Sequence, residues 1–526
     1  MKTKHPDTTS SNSPLTGLRG SLADPGEFTL TFELVPGRGG RSRELRRIVE
    51  LARAITGSGR FQALSITENA GGHPALAPEV LGAEIRAMGL DVIIHLSCKD
   101  KNRNQMESLL HGWNRLDLHN LLVIAGDYPR EGYRGAPKPV FDLDTVQALD
   151  MLGVMNRGDT VSPRPERGLR DPHPTAFFKG VAVSPFKHLE AELVTQYYKL
   201  HRKVAAGADF VITQVGYSAR KFHELLQYMR QNGLRVPVLG NVFIPSLAVA
   251  EHMYRGRIPG CVLTGELYRL IMNEAGTEDR GKRRRLERGA ALLAVLKGLG
   301  YDGAHIGGPG LTMVDLEYLL DRFAAMEANW REYVPELSFW PESDFYFFKK
   351  DEESGLNLPD RSEPARPARG GPAYALARIS HEQLFRPGGL FFKPMKKGCL
   401  LLAARRLAGP LGKFEHLLKL ILFNCRNCGD CTLADLAFFC PQSGCAKYLL
   451  NGPCGGSIDG WCEVYPGRRR CVYVRIYERL RSLGREEEMK TGFVPPRDWH
   501  LNRTSSWINY FLGLDHTGGP GGTGGR

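Results

Sequence analysis

The chain has 526 residues, 42% of them hydrophobic, and a formal net charge of +13. That length exceeds what one hydrophobic core usually serves, so two domains with linkers are expected. No run of about 20 apolar residues is present to span a membrane. The basic residues are mostly scattered arginines, with short runs such as 282–285 and 468–470, and do not interleave with aromatics as in a nucleic-acid module.

Residues 1–26 are polar, rich in Ser, Thr and Pro, and lack the apolar core of a secretory signal; they read as a disordered arm. From residue 28 to about 309, short β-rich runs alternate with amphipathic helical patterns, the signature of a parallel α/β fold. Eight candidate strands are expected at 28–36, 63–69, 91–98, 120–127, 179–185, 209–216, 237–244 and 302–309. Eight strand–helix units over this length match a (β/α)₈ TIM barrel, placed at 27–345. Nearly every run ends on a polar side chain: Glu33, Thr67, His95 with Ser97, Asp127, Ser184, Gln214, Asn241 and His305. The C-terminal strand ends of such a barrel form its active-site face, and a doubly wound sheet would not need one on every strand.

A Pro-, Arg- and Gly-rich stretch then reads as a linker over 346–375, followed by a smaller cysteine-rich domain over 376–500 and a tail over 501–526 that is Gly-rich at its end. Nine of the 11 cysteines lie between Cys399 and Cys471. A chain without a secretory signal and with such a cluster binds metal more often than it forms disulfides, so the compartment expected is the cytoplasm. The ligand candidates are Cys425, Cys428, Cys431, Cys440, Cys445, Cys454, Cys462 and Cys471. CxxCxxC with a later Cys-Pro is close to a ferredoxin ligand run, whereas a structural zinc needs four ligands, commonly as two CxxC pairs. Two clusters, one cluster with one zinc, or two zincs all fit this spacing, with at least one [4Fe–4S] cluster as the favoured reading.

Several segments resemble a known family. Phe32-Glu33-Leu34 with Pro36 is similar to the FEFFPP opening of the methylenetetrahydrofolate reductase barrel, and Ser65-Ile66-Thr67-Glu68-Asn69-Ala70 to its SVTYGA. His95-Leu96-Ser97-Cys98 resembles HLTC, and Gly126-Asp127-Tyr128-Pro129 resembles RGDLP with Ala125 in place of Arg. Ser184-Pro185 with His188 resembles YPEVHP, and the run from Arg202-Lys203 to Ala208 resembles RKVDAGA, followed by Ile212-Thr213-Gln214 for ITQ. The residues around CRNCGDC, 451–456 and 462–464 resemble the cysteine-rich domain fused to or partnered with this reductase in acetogens and other bacteria.

The resemblance implies a flavoprotein of one-carbon metabolism that reduces 5,10-methylenetetrahydrofolate to 5-methyltetrahydrofolate, as in methionine biosynthesis. It makes Glu33 the acid that protonates the departing ring nitrogen, a role that calls for a raised pKa. Asp127 would sit near flavin and folate, and Gln214 would meet the pterin. Thr67, His95, Gly126, His188, Arg202 and Lys203 would contact the flavin, the last two suiting its phosphate. Glu68 and Ser184 depart from the family's tyrosines, which leaves FAD or FMN open. Electrons would come from NAD(P)H or through the cysteine domain from a redox protein partner. Two other readings compete: a non-catalytic folate- or flavin-binding scaffold with a zinc domain, and a corrinoid-linked methyl-transfer component. Oligomeric state is left open.

Overall fold

The computed structural model describes residues 17–159, 173–363 and 372–518. All eight expected strands form: β1 Thr29–Leu34, β2 Ala63–Ile66, β3 Asp91–Ser97, β4 Asn120–Ile124, β5 Phe178–Val183, β6 Phe210–Thr213, β7 Val238–Phe243 and β8 Gly303–Gly307. They pair in chain order as a closed parallel barrel, and β1 meets β8 with Thr31 opposite His305. The period-2 pattern of each strand explains what fills it. In β1, Leu30, Phe32 and Leu34 join the large apolar layer beneath the surrounding helices, and the alternate positions Thr29, Thr31 and Glu33 face inward. Ser65 on β2 and His95 on β3 continue that polar inner column, joined at 2.8 Å between Ser65 Oγ and His95 Nε2.

The arm expected over 1–26 gives way at Gly17; its first sixteen residues lie outside the described residues. Helix Gly17–Ala23 plugs the N-terminal end of the barrel. Leu18 and Leu22 pack there against Ala63, Ile93, Leu122 and Leu239, and the Leu18 N–H donates to Asp91 Oδ2 at 2.9 Å. Gly17 has φ +66°, and a Cβ on it would stand 2.2 Å from that carboxylate oxygen, so the close approach requires glycine.

The linker expected over 346–375 also needs correction. Strands Phe348–Lys350 and Asn357–Arg361 pair antiparallel, and Phe348 is fully buried. Arg220 explains the anchoring: it donates to the Phe348 carbonyl at 3.1 Å and to Asn357 Oδ1 at 3.1 Å. Residues 364–371 lie outside the described residues. The tail expected from 501 likewise contains helix Ser506–Leu512, whose Ile508 and Phe511 pack on Cys399 of helix Phe392–Ala404. Gly519 to Arg526 lie outside the described residues.

The C-terminal lobe docks on the barrel. Leu449, Leu450, Tyr473, Ile476 and Tyr477 form one core with Ala191, Val194 and Tyr198 of helix Glu190–Ala205. Asp144, buried, is the polar anchor of the seam. Its Oδ1 caps helix Thr145–Arg157 through Val146 and Gln147 N–H groups at 2.9 and 3.1 Å. Its Oδ2 accepts from the Leu450 and Asn451 N–H groups across the seam at 2.9 and 2.7 Å.

Candidate active site and cysteine centres

Glu33 ends β1 on the inner face, and His305, its neighbour across the β1–β8 closure, has Nε2 3.6 Å from the Glu33 carboxylate. Thr31 holds the other ring nitrogen at 2.8 Å. Burial pushes the Glu33 carboxyl up, but the hydrogen bond and charge of His305 outweigh it, so the group lies below the usual carboxylate range. The raised pKa expected for Glu33 is therefore reversed. His95, two strands away, is held down at about 4 by burial, which keeps the ring neutral near pH 7. His305 was legible only as one more polar strand end; its partnership depends on the barrel closing.

Cys261 shows which other residues share this mouth. Its Sγ lies 3.6 Å from Gln214 Oε1. Burial and the charges of Asp127 and Glu33 together push its thiol up to about 12. The structure thus brings Glu33, Asp127 and Gln214 to one end of the barrel. The Gly71 N–H donates to Asp127 Oδ2 at 2.7 Å, fixing that carboxylate. Gly126 precedes it at φ +81°, where a Cβ would fall 2.0 Å from Ser97 Oγ. Gln214 Oε1 already accepts from the Val215 N–H at 2.9 Å, leaving its amide NH₂ to donate outward. Thr67 is buried just past β2, its N–H on the Leu34 carbonyl at 3.1 Å.

Three of the expected flavin contacts are engaged elsewhere. His188 Nδ1 is 2.5 Å from Asp344 Oδ2, and its ring stacks on Trp340 at 4.7 Å. Lys203 is buried and donates to the Ala182 carbonyl at 2.5 Å. Desolvation holds its pKa well below the ordinary lysine value. That geometry turns it away from the phosphate role expected of it. Arg202, in the same turn, acts electrostatically on Tyr473 of the lobe. Glu68, at the first departure from the family pattern, is paired with Lys101 at 2.5 Å and accepts the Ser97 N–H at 2.8 Å. Ser184, at the second, is buried with no partner for its Oγ, as is Asn241 Oδ1 on β7 beside His305. Two such orphaned oxygens at strand ends fit a polar ligand in the mouth.

The eight cysteines divide in space into two sets of four. Cys425, Cys428, Cys431 and Cys440 line one cavity together with Lys419 and Arg497. Arg497 donates to Cys428 Sγ at 3.0 Å, Lys419 to Cys431 Sγ at 3.5 Å, and the Asn427 N–H to Cys425 Sγ at 3.3 Å. In the second set, burial and the charges of Cys454 and Cys445 raise the Cys471 thiol, and Cys462 is among the charges that raise Cys445 after its burial. Lys447 and Lys199 oppose that accumulation, the first lowering Cys454 and the second drawing on Cys454 and Cys445. Cations and N–H donors aimed at sulfur are what an anionic thiolate centre needs around it.

Among the described residues, the one group of three or more His, Cys, Asp or Glu ligand atoms within 4.8 Å of one another is Asp430, Asp515 and His516, with Asp430 between Cys428 and Cys431 in the chain.

The second set abuts the barrel mouth. Lys447 donates to the Gly126 carbonyl at 2.7 Å and is ion-paired with Glu463, whose Oε1 lies 3.7 Å from Cys454 Sγ. Lys187, buried, donates to the Gly455 and Ser457 carbonyls at 2.5 and 2.7 Å. A Cβ on Gly260 would stand 3.1 Å from Gln214 Nε2 and 3.5 Å from the Gly455 carbonyl, so that loop reaches the site residues.

Fold and site together define a parallel eight-stranded barrel with an acid–histidine pair at its mouth, covered by a lobe with two four-cysteine centres. The family model described as methylenetetrahydrofolate reductase matches residues 19–256, and that described as methylene-tetrahydrofolate reductase C terminal matches residues 409–500. The chain thus carries a methylenetetrahydrofolate reductase domain in its barrel and that family's C-terminal domain in its lobe. Methylenetetrahydrofolate reductase 2 of Saccharomyces cerevisiae is 26% identical over 203 residues, 37% of this chain and 30% of the yeast protein. Methylenetetrahydrofolate reductase 1 of Schizosaccharomyces pombe is 24% identical over 240 residues, 45% of this chain and 36% of that protein. The match thus spans about a third of the length of these relatives. Among solved structures, an uncharacterized protein from Clostridium thermocellum that binds two copies of 5-methyl-5,6,7,8-tetrahydrofolic acid has a TM-score of 0.42 at 13% identity, covering 59% of this chain and 99% of that one.

Proposed function

We propose that the chain is a flavin-dependent methylenetetrahydrofolate reductase, converting 5,10-methylenetetrahydrofolate to 5-methyltetrahydrofolate in the barrel mouth. Electrons enter through the cysteine-rich lobe, with NAD(P)H as the alternative donor. The observation that carries this reading is the Glu33–His305 pair at 3.6 Å, at the same end of the barrel as Asp127 and Gln214.

A bound flavin, FAD or FMN, supplies hydride to the one-carbon unit. The side chains supply the rest. The imidazolidine ring must open before hydride arrives, and its departing nitrogen needs a proton. Glu33 delivers that proton, and His305, held by Thr31, restores it. This makes the pair one proton-carrying unit, which answers the lowered carboxyl pKa of Glu33 beside His305. Asp127, oriented by the Gly71 N–H, stabilises the cationic carbon–nitrogen centre that ring opening creates. The free NH₂ of Gln214 donates to the pterin edge. Thr67, His95 and Gly126 line the flavin side; His95, neutral and fixed by Ser65, offers a hydrogen bond without a charge.

The two cysteine sets would each hold a [4Fe–4S] cluster, a fit supported by four thiols apiece and by the flanking cations Lys419, Arg497, Lys447 and Lys199.

Anaerobic purification followed by a visible spectrum, with iron, zinc and flavin assayed on one sample, tests this reading. Flavin bands with an iron–sulfur shoulder and several irons per chain are expected. Flavin with zinc and no iron would make the lobe structural and NAD(P)H the direct donor. No flavin, even after reconstitution, would overturn the reductase assignment.

A further inference from the structure

Helices Phe392–Ala404 and Ala408–Phe423 form the outer side of the lobe. Their inner faces are accounted for: Phe392, Met395, Cys399 and Leu411 pack against helix Ser506–Leu512. Glu415, buried, bonds Lys419 and Ser506. The opposite face of the second helix is apolar and open, and that of the first carries the exposed Lys393, Lys396 and Lys397 beside Leu401. Phe414, Leu417 and Ile421 recur at helical spacing and are 56%, 56% and 74% exposed, flanked by Leu422 at 67% and Leu401 at 47%. Leu390, in the turn leading into the pair, is 80% exposed. An apolar stripe of this size on a stable surface marks a contact with something.

Charge narrows what that something is. From Phe391 to Phe423 the one acidic residue is Glu415, which is buried and paired with Lys419. Lys393, Lys396, Lys397, Arg405, Arg406 and Lys413 are all exposed, and among the described residues none has an ion-pair partner. A second copy of the chain would bring like charges together. The core of a protein interface favours Tyr, Trp and Arg and excludes Lys, whereas these helices hold Leu, Ile, Phe and Lys with no Tyr or Trp. Leucine-rich faces ringed by lysines whose stems can lie along the apolar surface suit the boundary between headgroups and acyl chains. No helix among the described residues is long and apolar enough to cross a membrane, so the contact is parallel to the surface.

We propose that this helical pair docks the protein peripherally on an anionic phospholipid bilayer. The inference stands on this surface and does not depend on the reductase reading. One consequence follows from connectivity: helix Ala408–Phe423 runs directly into Cys425, and its inner-face Lys419 bonds Cys431. Docking therefore holds the first cysteine set at the membrane surface.

The test is flotation of the full-length protein with vesicles of phosphatidylcholine plus phosphatidylglycerol, and with phosphatidylcholine alone. Binding to the anionic vesicles only, reversed by high salt, is expected. The double variant Leu417→Asp/Ile421→Asp should bind at least about tenfold more weakly, since it removes the inserted stripe. The triple variant Lys393→Glu/Lys396→Glu/Lys397→Glu should lose selectivity for anionic lipid. Both alter exposed side chains, so melting temperature and far-ultraviolet circular dichroism serve as folding controls. Wild type left in solution with anionic vesicles at low salt overturns the proposal. Equal binding by the Asp double variant does so too, because it reduces the effect to overall basicity. A vesicle-free dimer that this variant dissociates would assign the face to a second copy and overturn it as well.

Discussion

In the barrel, each strand sends alternate side chains outward into one continuous apolar layer, and the residues Val92, Ile94 and Leu96 of β3 are fully buried there. Between Asn424 and Cys471 the lobe has a single helix, the four-residue Pro441–Gly444, and no strand. Its buried groups in that stretch include Asp430, Thr432, Lys447, Asn451 and Ser457. The barrel is thus held by apolar burial and backbone ladders, which its own sequence supplies. The cysteine loops lack those ladders and mix buried polar groups with a short apolar set, Leu433, Leu436, Leu449 and Leu450, so any group their thiolates bind would add to their order.

Stripping metal should give the largest separation between the two regions. With binding free energies of structural metal centres on the order of 10 kcal/mol, chelation or oxidative loss should deprotect amides over 425–471 in hydrogen exchange while β1 to β8 stay protected. Simultaneous loss of barrel protection would show that the two regions fold as one unit. The next effect belongs to the barrel alone. Glu33→Gln should keep flavin and cluster absorbance but lower folate turnover about 10²- to 10⁴-fold, the range a positioned proton donor contributes. Undiminished turnover would end the role given to Glu33.

At the seam, Asp144→Ala orphans several buried donors on both sides, the Leu450 and Asn451 N–H groups among them. Each such donor costs about 1–3 kcal/mol, so denaturant unfolding should show roughly 3–5 kcal/mol lost and earlier proteolysis of the lobe. A variant in which only the helix cap weakens would lose about 1 kcal/mol and keep the lobe docked. The smallest effect is a pH dependence inside the barrel. His95 is held at about 4 when folded, against an ordinary 6.5. Because the unfolded chain then binds the extra proton, stability should be fully present above pH 6.5 and fall as pH drops toward 4, by up to roughly 3 kcal/mol. Thermal melts across that window should slope less in His95→Gln, and an unchanged slope would remove His95 as the cause.

Strand order and the polar mouth were legible because a period-2 pattern with a polar terminus is local: TLTFEL shows which face is inward before any fold is known. The same holds for Glu33, Asp127 and Gln214, which sit at strand ends within recognisable motifs. The plug helix was hidden because seven residues with two buried leucines give no periodic window, and only the open end of the barrel makes Leu18 a core residue.

By itself, then, the sequence determined the barrel, the polar residues at its strand ends with Glu33 among them, and which eight thiols are the ligand candidates, all of them properties of short segments. The tertiary structure alone decided that His305 answers Glu33, since the two meet only when β8 closes on β1. It also decided how the eight cysteines between 425 and 471 divide into two fours, and that the second four lies against Gly126 and Gln214. Those are contacts between residues distant in the chain, and spacing along a chain carries no information about which distant partners the packing of a core will bring together.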